Sequence, residues 1–356
     1  MSPAFKFPNL NTFYRRLEKG GTAKIAYLGG SITFGATASD PLKTSWRALL
    51  TEYLRKKFPR GHLEAIDAAI GGKGSKLAVF RMDRDVLPYS PDLTIVEYAV
   101  NDWTEPTGDE SVEGIIRKLK KSKPDMEVVI LIIGSGREYE CPARDKYAKL
   151  AEYYGLPCID VFSNVKKRIG AKLATQDFLT DGCHPNDRGY KIYSDIITAT
   201  LDKLAFEKGR KGKFPKVPLT RNRFQSAKMI ELSKLKKLGT WEKGVVDVTG
   251  IWFDHQPSRW LSSVVTPASD KASLELELKC SGLGLFYEAM PDGGKIIVES
   301  DGKELLVCDS SFKFHYPGLG YGFQFLQDPG KHKIRISSPV KGKVKLGYLL
   351  YTNEKE

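Results

Sequence analysis

Residues 24–33 have the sequence KIAYLGGSIT, and this segment is the clearest indication of the fold of the first half of the chain. Its first five residues are a short, nearly continuous apolar run, which is typical of a strand buried on both faces of a parallel sheet. Two glycines and a hydroxyl side chain, Ser31, follow at the point where that strand must end. A ligand site in a parallel sheet lies beyond the carboxyl ends of its strands, so Ser31 is placed at a candidate site.

The same alternation of apolar runs and amphipathic segments continues for about 200 residues, within the usual size of one domain. Four more strands are predicted at Leu63–Asp67, Asp92–Tyr98, Glu127–Ile133 and Pro157–Val161. Helices are predicted at Ser45–Phe58, Val112–Lys121, Ala143–Tyr154 and Asp187–Leu204. Alternating strands and helices predict an α/β domain whose parallel sheet is covered by helices on both faces, over residues 1–205.

The texture changes after a basic segment. From residue 245 onwards, short β-rich runs are separated by turn sequences such as Pro291-Asp292-Gly293-Gly294 and Asp328-Pro329-Gly330. Short strands at this spacing predict an antiparallel, jelly-roll-like β-sandwich over residues 245–356.

The basic segment between them holds most of the net charge of +13. Residues 203–243 contain 13 Lys or Arg against three acidic residues, a net +10. A nucleic-acid-binding surface would interleave basic and aromatic residues on a recognisable module, whereas this segment is rich in Lys, Pro and Gly. We interpret residues 206–244 as a solvated linker and predict no nucleic-acid partner. Contact with an acidic polysaccharide is the alternative.

The cysteines and the N-terminus bear on the compartment. Five cysteines, without a CxxC pair, favour reduced thiols over a disulfide framework or a zinc site. No apolar stretch approaches the ~18 residues of a membrane span, and the N-terminus lacks the apolar core of a secretory signal. The sequence therefore predicts a cytoplasmic protein with no membrane partner, or a secreted one if a leader has been removed.

Polar motifs follow several of the predicted strands. Ser31 follows the first, Gly71-Gly72-Lys73-Gly74 the second and Asn101-Asp102-Trp103 the third, while Asp181-Gly182-Cys183-His184 precedes the last helix. Right-handed crossovers bring these segments to one edge of the sheet. A serine nucleophile needs an adjacent base, and a histidine base needs a carboxylate on its other nitrogen. Asp181 lies three residues before His184, so it can fill that role.

Other uses of these residues fit less well. A dinucleotide-binding fingerprint requires a glycine where Ile32 stands, and no P-loop string follows any strand. A metal site built from Asp181, His184 and Asp187 lacks a second ligand cluster. The sequence predicts neither a cofactor nor a metal. Taken singly, Ser31 would be a helix N-cap and His184 a surface side chain; only their joint placement indicates catalysis.

These four motifs resemble the blocks of the SGNH/GDSL hydrolase family, which is named for its Ser, Gly, Asn and His residues. Ser31 stands in the first block, Gly72 in the second with Gly74 as the alternative, and Asn101 in the third. Asp181 and His184 stand in the last block, so the resemblance spans residues 20–205. Two positions depart from the family pattern.

Gly30 replaces the aspartate that precedes the family's serine, and Asp67 replaces an asparagine that often opens the second block. The resemblance implies a three-layer, flavodoxin-like catalytic domain in which Ser31 attacks an ester while His184, held by Asp181, takes its proton. It also implies an oxyanion hole formed by the N–H groups of Ser31 and Gly72 and the Asn101 amide.

Two-domain members of the family with a C-terminal sandwich look like carbohydrate esterases, so the expected partner is an acetylated carbohydrate substrate. Trp46, Trp103, Trp252 and Trp260 are candidate substrate-binding residues, and further candidate stacking platforms are Tyr287, Tyr316 and Tyr321. Aromatic side chains in a sandwich also serve as core, which is the alternative for each.

Three other functions remain open at this point: a lipid or thioester acyl-hydrolase, an acyltransferase of the same fold, and a non-catalytic carbohydrate-binding protein. The expected activity is that of a carbohydrate O-acetylesterase. Whether the chain forms a homo-oligomer is left open by the sequence.

Overall fold

The structure of the protein is a computed structural model that describes residues 11–169, 173–206, 214–246, 257–313 and 317–354. The chain divides into two units, Met1–Asn222 and Arg223–Glu356. Within the described ranges, no helix combines the length and the apolar composition that crossing a membrane requires. All five cysteines are free thiols.

A five-stranded parallel sheet organises the first unit. Its strands are β1 (Thr22–Gly29), β2 (His62–Asp67), β3 (Leu93–Glu97), β4 (Glu127–Ile132) and β5 (Cys158–Asp160). They lie in the order β2-β1-β3-β4-β5, and every pair is parallel. This is the flavodoxin-like order, whose topological switch point lies between β1 and β3. The predicted α/β fold is confirmed, and each predicted strand is present within one or two residues of its expected bounds.

Nine helices are described in the first unit: α1 (Asn11–Glu18), α2 (Ser31–Phe34), α3 (Trp46–Lys57), α4 (Ser75–Asp85), α5 (Gly108–Ser122), α6 (Arg144–Tyr154), α7 (Val161–Lys166), α8 (Thr175–Phe178) and α9 (Asp187–Phe206). Contacts among them form two groups, with α1, α2, α3, α7, α8 and α9 in one and α4, α5 and α6 in the other. The two groups cover opposite faces of the sheet, which gives three layers. Strands β3 and β4 are buried along their whole length, as their continuous apolar sequences require.

The sequence pattern located α3, α5, α6 and α9 and missed the five other helices described in the first unit, of which α1 and α4 are the longest. Helix α3 begins where expected, because the Ser45 hydroxyl accepts a hydrogen bond from Ala48 N at 3.3 Å and caps the first turn. Helices α1 and α4 were not predicted. Helix α4 follows a glycine-rich turn and buries polar residues such as Ser75 and Arg81, which hides its apolar face in the sequence.

An antiparallel, sandwich-like sheet forms the second unit. Its strands are β6 (Lys228–Glu231), β7 (Trp241–Gly244), β8 (Val264–Pro267), β9 (Ala272–Ala289), β10 (Lys295–Ser300), β11 (Lys303–Asp309), β12 (Gly318–Ser338) and β13 (Lys345–Thr352), with a short helix α10 (Pro257–Trp260). The order is β11-β10-β12-β9-β13-β8-β7, and β6 pairs with β13. Strands β9 and β12 are long and change register between Phe325 and Gly330. Side chains from strands throughout the sheet share one hydrophobic core.

The predicted linker at residues 206–244 differs from the structure. Strands β6 and β7 fall inside it, and Leu232 and Trp241 are buried in the core of the second unit. The first unit also extends beyond residue 205: Glu113 of α5 accepts hydrogen bonds from Leu219 N at 2.5 Å and Thr220 N at 2.8 Å. The sequence did not reveal strands β6 and β7, because each has only four residues and lysines alternate with single apolar residues around them.

Candidate active site

The polar motifs meet at the switch point of the parallel sheet. Ser31 is the first residue of α2, two residues beyond the end of β1, and it is 8% exposed. Asn101 lies four residues beyond β3, the neighbour of β1 on the other side of the switch point. His184 lies three residues before α9. The fold therefore brings together residues that are more than 150 positions apart in the chain.

A continuous hydrogen-bonded chain joins Ser31, His184 and Asp181. The Ser31 Oγ lies 2.8 Å from His184 Nε2, and His184 Nδ1 lies 2.7 Å from Asp181 Oδ2. In this arrangement Nδ1–H donates to the carboxylate and leaves Nε2 able to accept the serine proton. The distances are those expected of a serine nucleophile, a base and a carboxylate that orients the base.

The turn that carries Asp181 fixes its carboxylate. Asp181 Oδ1 accepts hydrogen bonds from Cys183 N at 2.9 Å and His184 N at 2.7 Å. Burial works to raise the pKa of Asp181, but these N–H groups and the imidazole outweigh it and hold the pKa below its ordinary value. Asp181 is therefore ionised when it faces His184. The Cys183 thiol, whose pKa is raised by burial, accepts a hydrogen bond from the Ser135 hydroxyl at 3.0 Å.

Asn101 lies directly against the residue that precedes Ser31. A Cβ added at Gly30 would stand 1.8 Å from Asn101 Oδ1 and 3.4 Å from Nδ2. The backbone at residue 30 and the Asn101 amide thus occupy adjoining space, so Asn101 lies next to the turn that carries Ser31. The same contact explains why glycine stands at position 30.

Gly72 lies in the turn that follows β2. Its φ of +66° belongs to the left-handed region, which glycine adopts without the strain of a Cβ. The chain approaches β1 just before this turn, since Ile70 N donates to Gly29 O at 3.0 Å. The alternative residue, Gly74, is the N-cap of α4, and a Cβ there would lie 2.3 Å from Asp102 Oδ1. Close packing therefore accounts for Gly74, and the left-handed turn for Gly72.

Asp102 ties the glycine turn to the loop that carries Asn101. Its carboxylate accepts a hydrogen bond from Ser75 N at 2.9 Å, and the hydroxyls of Ser75 and Tyr147 donate to it as well. The side chain is buried, and burial raises its pKa although these donors oppose the shift. The sequence places Asp102 beside Asn101, but only the structure reveals this connection.

A second buried acid, Glu97, lies beneath the serine turn. It is the last residue of β3 and is 1% exposed. Its Oε2 accepts a hydrogen bond from the Thr33 hydroxyl at 2.8 Å. Glu97 was not predicted as a site residue, although a charged residue that directly follows the apolar run at residues 93–96 was a usable signal.

Three of the candidate aromatic residues are buried. Trp46 is fully buried in the core of the first unit, where its ring makes an edge contact with Tyr27. Trp260 and Tyr287 are also buried, in the second unit. These side chains pack in cores, so they are unavailable as substrate platforms, and the candidate role of Trp46 and Trp260 in direct contact is corrected. The amphipathic sequence around each tryptophan gave no sign of which face it occupies.

Trp103 behaves differently from those three. It is 50% exposed and follows Asp102 in the chain, at the carboxyl edge of the sheet. Tyr321 is half-buried on β12. The remaining candidates, Trp252 and Tyr316, lie outside the described residues. Trp103 is therefore the one described tryptophan among the candidates that presents substantial surface beside the motifs.

Asp187, the third residue of the metal alternative, has other partners. Its carboxylate accepts hydrogen bonds from Ser39 N at 2.9 Å and from the hydroxyls of Ser39 and Thr44. It therefore fastens the loop that follows α2. Among the described His, Cys, Asp and Glu residues, no group of three or more is placed to hold a metal ion.

A flavodoxin-like sheet with serine, glycine, asparagine and histidine motifs at its switch point is the arrangement that the resemblance to the SGNH/GDSL hydrolases implies. Residues 27–192 match the GDSL-like lipase/acylhydrolase family. No curated protein matches the chain by sequence.

Two solved structures are similar to the chain over both domains. Both are of a two-domain esterase (CEX) active on acetylated mannans, one of them co-crystallised with mannopentaose. The mannopentaose complex has a TM-score of 0.81 and 22% identity, and the match covers 99% of this chain and 97% of the other. The second has a TM-score of 0.82 and 23% identity, with coverage of 97% and 95%. At this identity the similarity establishes the shared two-domain fold.

Proposed function

We propose that this protein is a serine esterase that removes O-acetyl groups from polysaccharides or oligosaccharides. The observation that carries the proposal is the hydrogen-bonded chain from Ser31 through His184 to Asp181, at the edge of the sheet where ligands bind. A serine and a histidine do not adopt this geometry without a structural reason. Helix capping is not that reason, because neither Ser31 nor His184 caps a helix of the described chain through its polar atoms.

The chemistry follows from the two nitrogens of His184. Nε2 takes the proton of Ser31 as Oγ attacks the acetyl carbonyl, and Asp181 stabilises the imidazolium that forms. The imidazolium then returns the proton to the departing sugar hydroxyl, which leaves an acetylated Ser31. Water, deprotonated by the same nitrogen, attacks this acyl-enzyme and releases acetate. The balance requires one water per ester and no further reactant.

The tetrahedral intermediate needs donors for its negative oxygen. We assign the N–H groups of Ser31 and Gly72 and the Asn101 amide to this role. The contact of Asn101 with Gly30 and the left-handed turn at Gly72 support the assignment. Asp102 supports it further, because it connects the two turns that would supply the donors.

The choice of an acetylated carbohydrate rests on the second domain. The chain shares its whole two-domain architecture with an esterase described as active on acetylated mannans. Within the first domain, Trp103 offers an exposed aromatic face beside Asn101, and sugar rings stack on such faces. A lipid or thioester acyl-hydrolase, an acyltransferase and a non-catalytic carbohydrate-binding protein are the competing outcomes of the test.

The test measures acetate released from acetylated glucomannan and acetylated xylan, together with hydrolysis of p-nitrophenyl esters of two to twelve acyl carbons. The Ser31→Ala variant serves as the control for uncatalysed release. We expect acetate release from a glycan and a steep loss of activity beyond four acyl carbons. Preference for long chains would favour the lipid acyl-hydrolase, transfer of acetyl to an added sugar would favour the acyltransferase, and glycan binding without turnover would favour the binding protein.

A further inference from the structure

We infer that Glu97 is a positioning residue that holds the turn carrying Ser31 in its reactive geometry. The inference rests on the proposed function, since it assigns a role relative to Ser31 as nucleophile. Glu97 ends β3 and pairs in register with Gly29, the last residue of β1. Its carboxyl therefore starts beside the point where the chain leaves the sheet to form the serine turn.

The carboxyl group holds the turn through Thr33. Oε2 accepts a hydrogen bond from the Thr33 hydroxyl at 2.8 Å, two residues after Ser31. The same hydroxyl packs against Gly29, two residues before Ser31, since a Cβ there would lie 2.2 Å from Thr33 Oγ1. Through Thr33, the Glu97 side chain thus holds the two ends of the turn together, and Ser31 lies between them.

The turn needs such an anchor because its own structure is weak. Helix α2 has only four residues, too few to be stable alone, and Gly29 and Gly30 precede it. Glycine has the largest backbone freedom, so the position of Ser31 depends on contacts from neighbouring elements. Gly30 has no side chain that could hold the serine turn. The Glu97 side chain on β3 supplies this anchor instead.

Burying the Glu97 carboxyl costs free energy, which indicates that this side chain has a specific role. Its other oxygen, Oε1, has no hydrogen-bond partner among the described residues. Burial raises its pKa to about 8, the Thr33 hydroxyl and Gly30 N–H oppose this shift, and the charge of Asp102 adds to it. An apolar residue would avoid these penalties, and all other residues of β3 are buried and uncharged.

A matched control lies at the opposite end of the same sheet. Glu127 begins β4, is 6% exposed and accepts hydrogen bonds from Thr12 N at 2.9 Å and Phe13 N at 3.3 Å. Burial raises its pKa to about 7. It is thus a second buried acid that fastens a short helix, but at the edge remote from Ser31.

The experiment compares wild type with Glu97→Ala, Glu97→Gln, Thr33→Val and Glu127→Ala. For each full-length variant, kcat and KM on p-nitrophenyl acetate, the melting temperature and the rate of Ser31 labelling by a fluorophosphonate are measured. This reagent phosphonylates an activated serine with loss of fluoride, so it reports the nucleophile without a glycan.

We expect Glu97→Ala to lower both kcat and the labelling rate by roughly 10- to 100-fold with KM little changed, the scale of a misplacement of about 1 Å. Glu97→Gln, which keeps an oxygen acceptor, should recover most of this loss. Thr33→Val removes the same hydrogen bond from its other end and should slow labelling by roughly threefold to tenfold. Glu127→Ala should lower the melting temperature and leave kcat unchanged.

The inference is overturned if Glu97→Ala folds and labels at the wild-type rate, or if Glu127→Ala loses as much kcat as Glu97→Ala. If Glu97→Ala does not fold, unchanged labelling in Thr33→Val overturns it instead. Ser31→Ala separates this failure from that of the proposed function. A Ser31→Ala variant that keeps its esterase activity contradicts the nucleophile itself, whereas an inactive one beside an unaffected Glu97→Ala contradicts only the positioning role.

Discussion

Gly30 and Asn101 lie so close together that a Cβ at position 30 would stand 1.8 Å from Asn101 Oδ1. Gly30→Ala must therefore displace either the Asn101 amide or the turn that carries Ser31. We expect kcat on p-nitrophenyl acetate to fall by roughly 10²-fold or more, because in the proposed mechanism Ser31 and Asn101 act on the same carbonyl. Gly330→Ala is the control, since the nearest atom to a Cβ there is 3.7 Å away. Wild-type kcat in Gly30→Ala would mean that Asn101 can move without consequence.

The second prediction concerns the nucleophile. Ser31→Ala removes the oxygen that lies 2.8 Å from His184 Nε2 and should lower kcat by roughly 10³-fold or more. The melting temperature should change little, because within the described part of the chain the small buried hydroxyl makes no hydrogen bond besides the one to His184. Steady-state kinetics and calorimetry of the same preparation check both statements. A variant that retains most of its activity would require a different nucleophile.

The third prediction separates Asn101 from the triad. Asn101→Ala removes one of the proposed oxyanion donors and should cost on the order of 10²-fold in kcat with KM little changed, because the developing oxyanion exists only in the transition state. The labelling of Ser31 should persist at a reduced rate. If the loss appears in KM alone, Asn101 binds the substrate in its ground state instead.

The sequence was sufficient for the parallel sheet and for the motif residues. Continuous apolar strands such as Glu127–Ile132 have few other uses, and residues at the ends of parallel strands must converge. Contacts that depend on side-chain direction were not predictable. Trp46 is core and Trp103 is exposed, although both are tryptophans that the sequence offered as candidate substrate-binding residues. Periodicity reports which residues are apolar, not which neighbour fills the space beside them.

The supporting acids were missed for a related reason. Glu97 and Asp102 act through hydrogen bonds to Thr33 and Ser75, which lie 64 and 27 residues away in the chain. Nothing in the local sequence marks such pairs, since the partners are brought together by strand order alone. The linker prediction failed similarly, because the buried Leu232 lies among lysines that point to solvent.

The fourth prediction is a pH dependence with a defined sign. Burial raises the pKa of Glu97 to about 8, while in the unfolded chain the same carboxyl titrates near its ordinary value. Between these values the folded domain binds one proton more than the unfolded chain. The free energy of unfolding therefore falls as pH rises from about 5 to about 8, by up to about 1.4 kcal/mol per pH unit.

Glu97→Gln removes this term, so the variant should gain stability relative to wild type as the pH rises. Urea unfolding of both proteins at pH 5 and pH 8 measures the difference. Glu127, whose pKa is raised to about 7, contributes with the same sign in both proteins and cancels. A constant difference between the two pH values would show that Glu97 is ionised throughout this range.

The last prediction concerns where the first domain ends and what the second contributes. Glu113 is fully buried, and its carboxylate accepts the N–H groups of Leu219 and Thr220 as well as the Thr220 hydroxyl. A chain cut after residue 215 loses these donors and leaves the buried carboxylate the Tyr154 hydroxyl, at a cost of about 3 kcal/mol or more, whereas a chain cut after residue 222 keeps all of its partners. We expect residues 1–222 to melt at a clearly higher temperature than residues 1–215, and to hydrolyse p-nitrophenyl acetate at close to the wild-type rate.

On acetylated oligosaccharides the same fragment should be at least roughly tenfold slower than the full chain, about 1.4 kcal/mol of transition-state binding. The two substrates differ because only a glycan is large enough to be held by a domain that lacks the reacting groups. Equal retention of activity on both substrates would mean that the second domain does not contribute to catalysis. Equal loss on both would give the second domain a structural role.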